Sequence, residues 1–211
     1  MSYIYDLEDM TKRVFGFLYG CAMHDALLQK AFAGEKKDWV GKLEPPKVIL
    51  DEYIRKVLNG EFSSQEDHDA HFLKTANQLC LEINSSRPPQ YSRGVFGFGN
   101  AQKLINITVK HVYTFCYHDP SLRKVFRFCH CPVDQIMLKK VWDRCGGKGL
   151  GKKTWFLEAW GREGTENGEQ PELAAFPARY QLFQEKVREL IGSGDLMSVE
   201  FDYAEWKQDE K

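Results

Sequence analysis

The chain has 211 residues, of which 43% are hydrophobic and 28% are charged, a balance that is ordinary for a globular protein. No apolar run approaches the roughly 20 residues of a membrane span, and the first residues, MSYIYDLEDMTKR, are acidic where a signal peptide would be basic and then apolar. Six cysteines are too few for a disulfide scaffold. We therefore expect a cytoplasmic protein with reduced thiols and no membrane contact, associated with the nucleoid if its source is prokaryotic.

The charge is uneven along the chain, although the formal net charge is only −1. Residues 91–153 hold twelve lysines and arginines against three aspartates, a balance of +9, whereas the rest of the chain carries −10. Such segregation predicts a positively charged face, for which a polyanion is the natural partner. The alternative is that these side chains are scattered in space and merely solvated.

Apolar residues at helical spacing predict three helices in the first 90 residues. They cover residues 6–32, 48–58 and 65–83. Pro45 and Pro46 open the second helix, and Asn59-Gly60 ends it. Ser63 or Ser64 is placed to cap the third helix.

The rest of the chain follows a glycine-rich turn and is again mostly helical. The predicted helical segments are residues 101–117, 122–128, 135–145 and 172–191. Residues 146–151 predict a flexible basic loop and residues 161–171 an exposed insertion, while the alternating tail SVEFDYAEW predicts a short strand. The fold class is mainly α, in a single domain of residues 1–211 with lobes at 1–90 and 91–211.

The helix that starts at Ala101 carries lysines on an otherwise apolar element. Lys103, Asn106 and Lys110 fall at i, i+3 and i+7 and share one face, while apolar residues cover most other directions. An amine that is partly removed from water loses its proton more readily, and the neutral amine is the form that attacks an electrophilic carbon. A lysine on this helix is therefore a candidate nucleophile.

Asp134 stands at the N-cap position of the helix over residues 135–145, directly after Pro132-Val133. Helix N-termini favour an ionised carboxylate. An anion beside a sugar carbon stabilises the positive charge that grows as a glycosidic bond breaks, and it can orient or deprotonate an amine. Lys103 and Asp134 together suit base removal followed by Schiff-base formation. The structural alternatives are a simple N-cap and a lysine that extends to solvent.

A family resemblance rests on the same segment. Gly97-Phe98-Gly99 before a helix with Gln102-Lys103, followed by Pro132-Val133-Asp134 at a helix start, resembles the helix-hairpin-helix DNA glycosylases, specifically the archaeal 8-oxoguanine glycosylase/AP lyase branch. The resemblance covers roughly residues 94–142. It implies a glycosylase-like helical bundle with two lobes around a cleft, and double-stranded DNA with a damaged or modified base as the partner.

The resemblance also implies the roles of single residues. The Schiff-base nucleophile of the family falls on Lys103 and its carboxylate partner on Asp134, while Lys110 is the alternative nucleophile. We expect a monomer that needs no cofactor. The predicted DNA contacts are Gly97, Gly99, Lys139, Lys140, Lys148, Lys152 and Lys153.

An extruded base needs an aromatic or apolar slot. The candidate pocket residues are Phe98, Asn106, His130, Trp155 and Trp160. The alternative for each aromatic side chain is a place in the core.

A possible metal site and two alternative functions also follow from the sequence. Cys129-His130-Cys131 suggests a metal, but adjacent side chains diverge and the paired C-x2-C of a zinc site is absent, so no metal is expected. For function, two alternatives to the enzyme stay open. One is a non-catalytic helical module that binds DNA through its phosphates, and the other is a nucleotide-sequestering or interaction protein of a defence or counter-defence system.

Overall fold

The computed structural model describes residues 14–23, 44–86, 96–157, 177–193 and 196–206. Residues 14–23 are helical (α1). The following elements are α2 (Glu44–Leu58), α3 (Gln65–Ser85), α4 (Phe98–Cys116), α5 (Pro120–Arg123), a 3-10 turn (Lys124–Phe126), α6 (Gln135–Cys145), α7 (Lys153–Phe156), α8 (Ala178–Ile191) and α9 (Ser198–Trp206). No strand occurs within these ranges, which confirms the mainly α class. None of the helices in these ranges has the length and apolarity that a bilayer crossing requires.

The caps that the sequence predicts are present at two helix starts. The Ser64 hydroxyl accepts the Asp67 backbone N–H at 3.2 Å, and the Asp134 carboxylate accepts the Met137 N–H at 2.9 Å from an extended backbone. Helix α4 begins at Phe98 rather than at Ala101, because the Gly97 carbonyl already accepts the Ala101 N–H at 3.1 Å. These caps fix where α3, α4 and α6 enter the core.

The glycine loop after α6 is a tight turn with left-handed backbone. Gly146 ends the helix with φ at 57°, and its N–H returns to the Asp143 carbonyl. Gly147 has φ at 72°, and a Cβ there would lie 2.8 Å from the Trp142 indole. Glycine is therefore required at 147 both by the backbone and by the space that Trp142 takes.

One hydrophobic core joins the helices. Helix α2 packs on α3, α3 on α4, α6 on α8, and α9 on both α4 and α8. Buried side chains such as Leu79, Leu104, Leu138, Phe183 and Val199 belong to the same cluster. The segment 129–134, which joins the 3-10 turn to α6, lies inside this core because Cys129 through Val133 are all buried.

The strand predicted for the tail is wrong, because residues Ser198–Trp206 form the helix α9. Apolar and acidic residues alternate in this segment, a pattern that is typical of a strand with one solvent-exposed face. Val199 and Phe201 are buried, but so are Glu200 and Asp202. The acids bind basic residues on other elements instead of water, and the alternation therefore does not mark two faces of a strand.

Some predictions fall outside the described residues. They are Trp160, the insertion at 161–171, residues 172–176 of the last long helix, and the first helix beyond residues 14–23.

Candidate functional site

The start of α4 is bound to the segment that carries Asp134 by one glutamine side chain. Gln102 is fully buried, and its Nε2 donates to the Val133 carbonyl at 2.9 Å. The Val133 N–H donates back to Gln102 Oε1 at 3.3 Å. Lys103 and Asp134 are the residues that directly follow these two partners, which are 31 positions apart in the sequence.

A second glutamine binds the same segment from α8. Gln184 Oε1 accepts the Cys131 N–H at 3.1 Å, and its Nε2 donates to the Cys131 carbonyl at 2.8 Å. Gln102 and Gln184 thus satisfy the buried backbone of 131 and 133 as neighbouring strands would in a sheet. The extended segment is held from two sides without any sheet.

Lys103 and Asp134 are both half-buried. Asp134 is held by its cap bond to the Met137 N–H at 2.9 Å. No ion pair or hydrogen bond joins Lys103 to Asp134, and among the described residues no carboxylate pairs with Lys103. The polar atoms of the two side chains are therefore not bound to each other.

Lys110 lies two turns further along α4 in a different setting. Its ammonium forms an ion pair with Asp202 of α9 and lies 4.3 Å from the centre of the Tyr203 ring. Burial raises the pKa of the Cys131 thiol well above its usual range. The negative charges of Asp202 and Asp134 raise this pKa further, whereas the positive charge of Lys110 lowers it.

Three of the predicted base-pocket residues meet at a tyrosine that the sequence analysis did not single out. The Tyr180 hydroxyl lies 2.8 Å from His130 Nδ1 and accepts from Asn106 Nδ2 at 3.2 Å. The Phe98 ring contacts the Tyr180 ring edge to face, with centroids 5.0 Å apart. Asn106 Nδ2 also donates to Gln102 Oε1 at 3.1 Å. Asn106 and His130 therefore share one buried hydroxyl, and Phe98 packs on the ring that carries it.

His130 extends this network to α3. Its Nε2 lies 2.8 Å from Asp69 Oδ1, which also accepts from Gln65 Nε2 at 2.7 Å. His68 Nδ1 lies 3.3 Å from the same oxygen, and its Nε2 lies 2.8 Å from the Tyr53 hydroxyl. A continuous chain of hydrogen bonds thus runs from half-exposed Asp69 to the backbone beside Asp134.

The network perturbs both of its titrating centres. Burial lowers the pKa of His130 to about 4, although the hydrogen bond to Asp69 acts in the opposite direction. For Asp69, burial acts to raise the pKa, but hydrogen bonds from His130, His68 and Gln65 outweigh it and hold the pKa well below its usual range. At neutral pH the centre is therefore a carboxylate beside a neutral His130 imidazole.

The predicted DNA contacts fall into two groups. Lys139 pairs with Asp143 at 2.5 Å, and Lys140 donates to the Glu205 carbonyl at 2.8 Å. The second group is exposed along the glycine turn and the start of α7, and it consists of Lys148, Lys152 and Lys153. The predicted base-pocket residue Trp155 is exposed beside them. Gly97 and Gly99 lie at the start of α4, where Gly99 is buried and its carbonyl accepts from Gln102 Nε2 at 3.0 Å.

The residues that the sequence analysis missed are Tyr53, His68, Asp69, Tyr180 and Gln184. A signal existed for the last two. Tyr180 and Gln184 are four apart on α8, as Gln102 and Asn106 are on α4, so each pair lies on one helix face. Polar pairs at this spacing inside apolar helices indicate a buried network.

One group of side chains has ligand atoms for a metal ion. His68, Asp69 and His130 each offer one such atom, and these atoms all lie within 4.8 Å of one another. Cys129 and Cys131, which flank His130, do not belong to this group among the described residues.

No family model, no curated protein and no solved structure matches this chain. The chemistry of the site therefore rests on its own geometry.

Proposed function

We propose that the protein is a DNA glycosylase with AP lyase activity, which removes an oxidised or otherwise modified purine through a Schiff base on Lys103, with Asp134 as the carboxylate partner. The observation that carries the proposal is the two-point contact of Gln102 with Val133. It joins the residues that directly precede Lys103 and Asp134, which supports the proposal that the amine and the helix-capping carboxylate act together. The helix-hairpin-helix architecture is part of the same proposal.

The choice of Lys103 over Lys110 rests on their partners. The Lys110 ammonium forms an ion pair with Asp202 and packs on the Tyr203 ring, so attack by Lys110 would break both contacts. No carboxylate among the described residues pairs with Lys103. Lys103 is therefore the amine with the smaller obstacle to nucleophilic attack.

The reaction needs little beyond this pair. Asp134 accepts a proton from the Lys103 ammonium, and the free amine forms a bond to C1′ of an extruded nucleotide while the glycosidic bond breaks. The base leaves with the bonding electrons and takes up the proton that Asp134 received. Opening of the sugar ring moves a proton from the nitrogen to O4′ and gives the protonated imine. The Asp134 carboxylate then removes a C2′ proton, and β-elimination breaks the C3′–O bond with the 3′ phosphate as the leaving group. The carboxylate also stabilises the positive charge that develops on the sugar.

Exposed groups near the glycine turn support a DNA partner. Lys148, Lys152 and Lys153 are exposed, and Trp155 beside them has 40% of its surface exposed. Lysines contact phosphates, and an exposed indole can stack on a base. Three other basic residues in the range 91–153, Lys110, Arg123 and Arg144, pair with acids of α9, so the glycine turn is the preferred place for DNA contact.

Borohydride trapping tests the proposal, because the reductant converts the imine to a stable amine. Wild-type protein is incubated with duplexes that carry 8-oxoguanine, other modified purines or an abasic site, and covalent adducts are separated by denaturing electrophoresis. We expect an adduct with wild-type protein and a loss of at least about a thousandfold in Lys103→Gln, with duplex binding retained.

Lys110→Gln is the matched control on the same helix, and it should still form the adduct. An adduct that persists in Lys103→Gln but disappears in Lys110→Gln would assign the nucleophile to Lys110. If wild-type protein gives no adduct on any duplex but binds DNA with a steep salt dependence, the enzyme proposal fails and the non-catalytic DNA-binding function replaces it.

A further inference from the structure

We propose that His68, Asp69 and His130 form a binding site for a divalent transition-metal ion, for which Zn²⁺ is the probe. Three potential ligand atoms, His68 Nδ1, Asp69 Oδ1 and His130 Nε2, lie within 4.8 Å of one another. Two imidazoles and one carboxylate are a recurrent set for Zn²⁺ and Fe²⁺. The site is independent of the glycosylase proposal and departs from the metal-free expectation of the sequence.

The placement of the ligands suits a metal better than a surface histidine cluster would. His68 is fully buried and His130 is 2% exposed, whereas the Asp69 side chain is 27% exposed. The two rings are thus fixed by the core, and the carboxylate edge gives access from solvent. The ligands also come from two elements, α3 and segment 129–134, 61 positions apart, so an ion there would join them.

A second observation that supports a metal site is that both histidine rings have a hydrogen-bond partner on the side away from Asp69. In known metal sites, the nitrogen of each histidine that does not face the metal is held by a hydrogen-bonding group, which fixes the tautomer. Here His68 Nε2 faces the Tyr53 hydroxyl and His130 Nδ1 faces the Tyr180 hydroxyl, both at 2.8 Å. Both hydroxyls are buried, and a hydroxyl can act as donor or acceptor.

Each of the two rings carries one proton both with and without the metal ion, so metal binding only moves that proton to the other ring nitrogen. Without an ion, the tautomer that donates its N–H to Asp69 lets each ring accept from its tyrosine. With an ion, each neutral ring binds through the nitrogen that faces Asp69 and carries its single proton on the tyrosine side. The two hydroxyls rotate accordingly, no redox partner is needed, and Asp69 Oδ1 changes from a hydrogen-bond acceptor to a ligand. The three protein ligands leave a position for water on the exposed side of Asp69.

Metal analysis of the full chain tests the site. Protein stripped with a chelator is titrated with ZnCl₂ by calorimetry, and bound zinc is counted by mass spectrometry after gel filtration. We expect one zinc per chain in wild-type protein. At free zinc about a hundredfold above Kd, we expect a rise in Tm of roughly 5–10 °C.

Asp69→Asn keeps the size of the side chain and removes the anionic ligand, so it should abolish stoichiometric zinc. Tyr53→Phe should keep the ligands but weaken binding about 10–100-fold, because the tyrosine holds His68 from behind. Asp143→Asn removes an exposed carboxylate on α6 and serves as the control, with zinc binding unchanged.

Cobalt substitution then identifies the ligands. Co²⁺ at this site should give a visible spectrum without thiolate-to-metal charge transfer, whereas such a band would move the ligand set to Cys129 or Cys131 and overturn the assignment. Zinc binding that is absent from wild-type protein, or that is equal in wild type and Asp69→Asn, would show that the three side chains form a hydrogen-bonded network only. Neither result depends on whether the protein forms an adduct with DNA.

Discussion

The two halves of α4 are held in the fold by different chemistry. The first half is bound to segment 131–133 by the uncharged amide of Gln102. The second half is bound to α9 by charge: Lys110 pairs with Asp202, and the Tyr113 hydroxyl donates to Glu200. The difference shows that amide contacts can fix a helix tightly while a lysine beside them, Lys103, is left without a carboxylate partner in the described structure.

The largest expected effect comes from removing the amide at the first half. Gln102→Leu leaves the N–H and carbonyl of buried Val133 without their partner, and each such group costs about 1–3 kcal/mol, so the free energy of unfolding should fall by roughly 3–5 kcal/mol. Urea denaturation measures this loss. Because Asp134 follows Val133, the rate of borohydride trapping should fall as well.

Gln184→Leu is the matched control for that experiment. It removes an equivalent pair of bonds, but at Cys131, so the loss in unfolding free energy should be similar while trapping is affected less. Equal trapping rates in the two variants would contradict the view that Gln102 positions the reacting pair.

The second half of α4 should be less sensitive. Lys110→Met leaves Asp202, which is 7% exposed, without its ammonium partner, and we expect a loss of about 2–3 kcal/mol in unfolding free energy. Adding Asp202→Asn to Lys110→Met should restore part of the loss, since the unpaired charge is then removed. A double-mutant cycle by urea denaturation measures the coupling, and additive losses would contradict a direct interaction.

The charged half should also respond to acid. Burial acts to raise the pKa of Glu200, but hydrogen bonds from Arg123 and Tyr113 outweigh it, and the pKa is lowered from its usual value. A carboxyl group with a lowered pKa in the folded state stabilises the protein above its unfolded pKa, and this contribution is lost as pH falls below about 4.5.

Glu200→Gln tests this pH dependence. Because the Arg123 side chain is 36% exposed, solvent screening limits the expected loss at neutral pH to about 1–2 kcal/mol. The difference between wild type and variant should shrink as pH falls from about 4.5 to 3, measured by urea denaturation at each pH. A constant difference across that window would rule out ionised Glu200 as the source.

The sequence predicts more of the first half of α4 and its contacts than of the second half. The helix itself and the cap at Asp134 follow from periodicity and turn residues. The binding of α9 to Lys110 does not, because alternating acids in a tail are normally read as solvent-facing. Tyr180 and Asp69 escape for a related reason: they contact His130 from 50 and 61 positions away, and local patterns carry no information on such pairs.

The smallest change in stability should come from the residue with the largest proposed chemical role. Asp134→Ser keeps a hydroxyl that can accept the Met137 N–H, and serine caps helices about as well as aspartate, so the free energy of unfolding should change by no more than about 0.5 kcal/mol. The carboxylate is nevertheless gone. If Asp134 takes the proton from Lys103, trapping should fall by at least about a hundredfold in a protein of nearly wild-type stability. Undiminished trapping would reduce Asp134 to a helix cap, and Lys103 would then need another base.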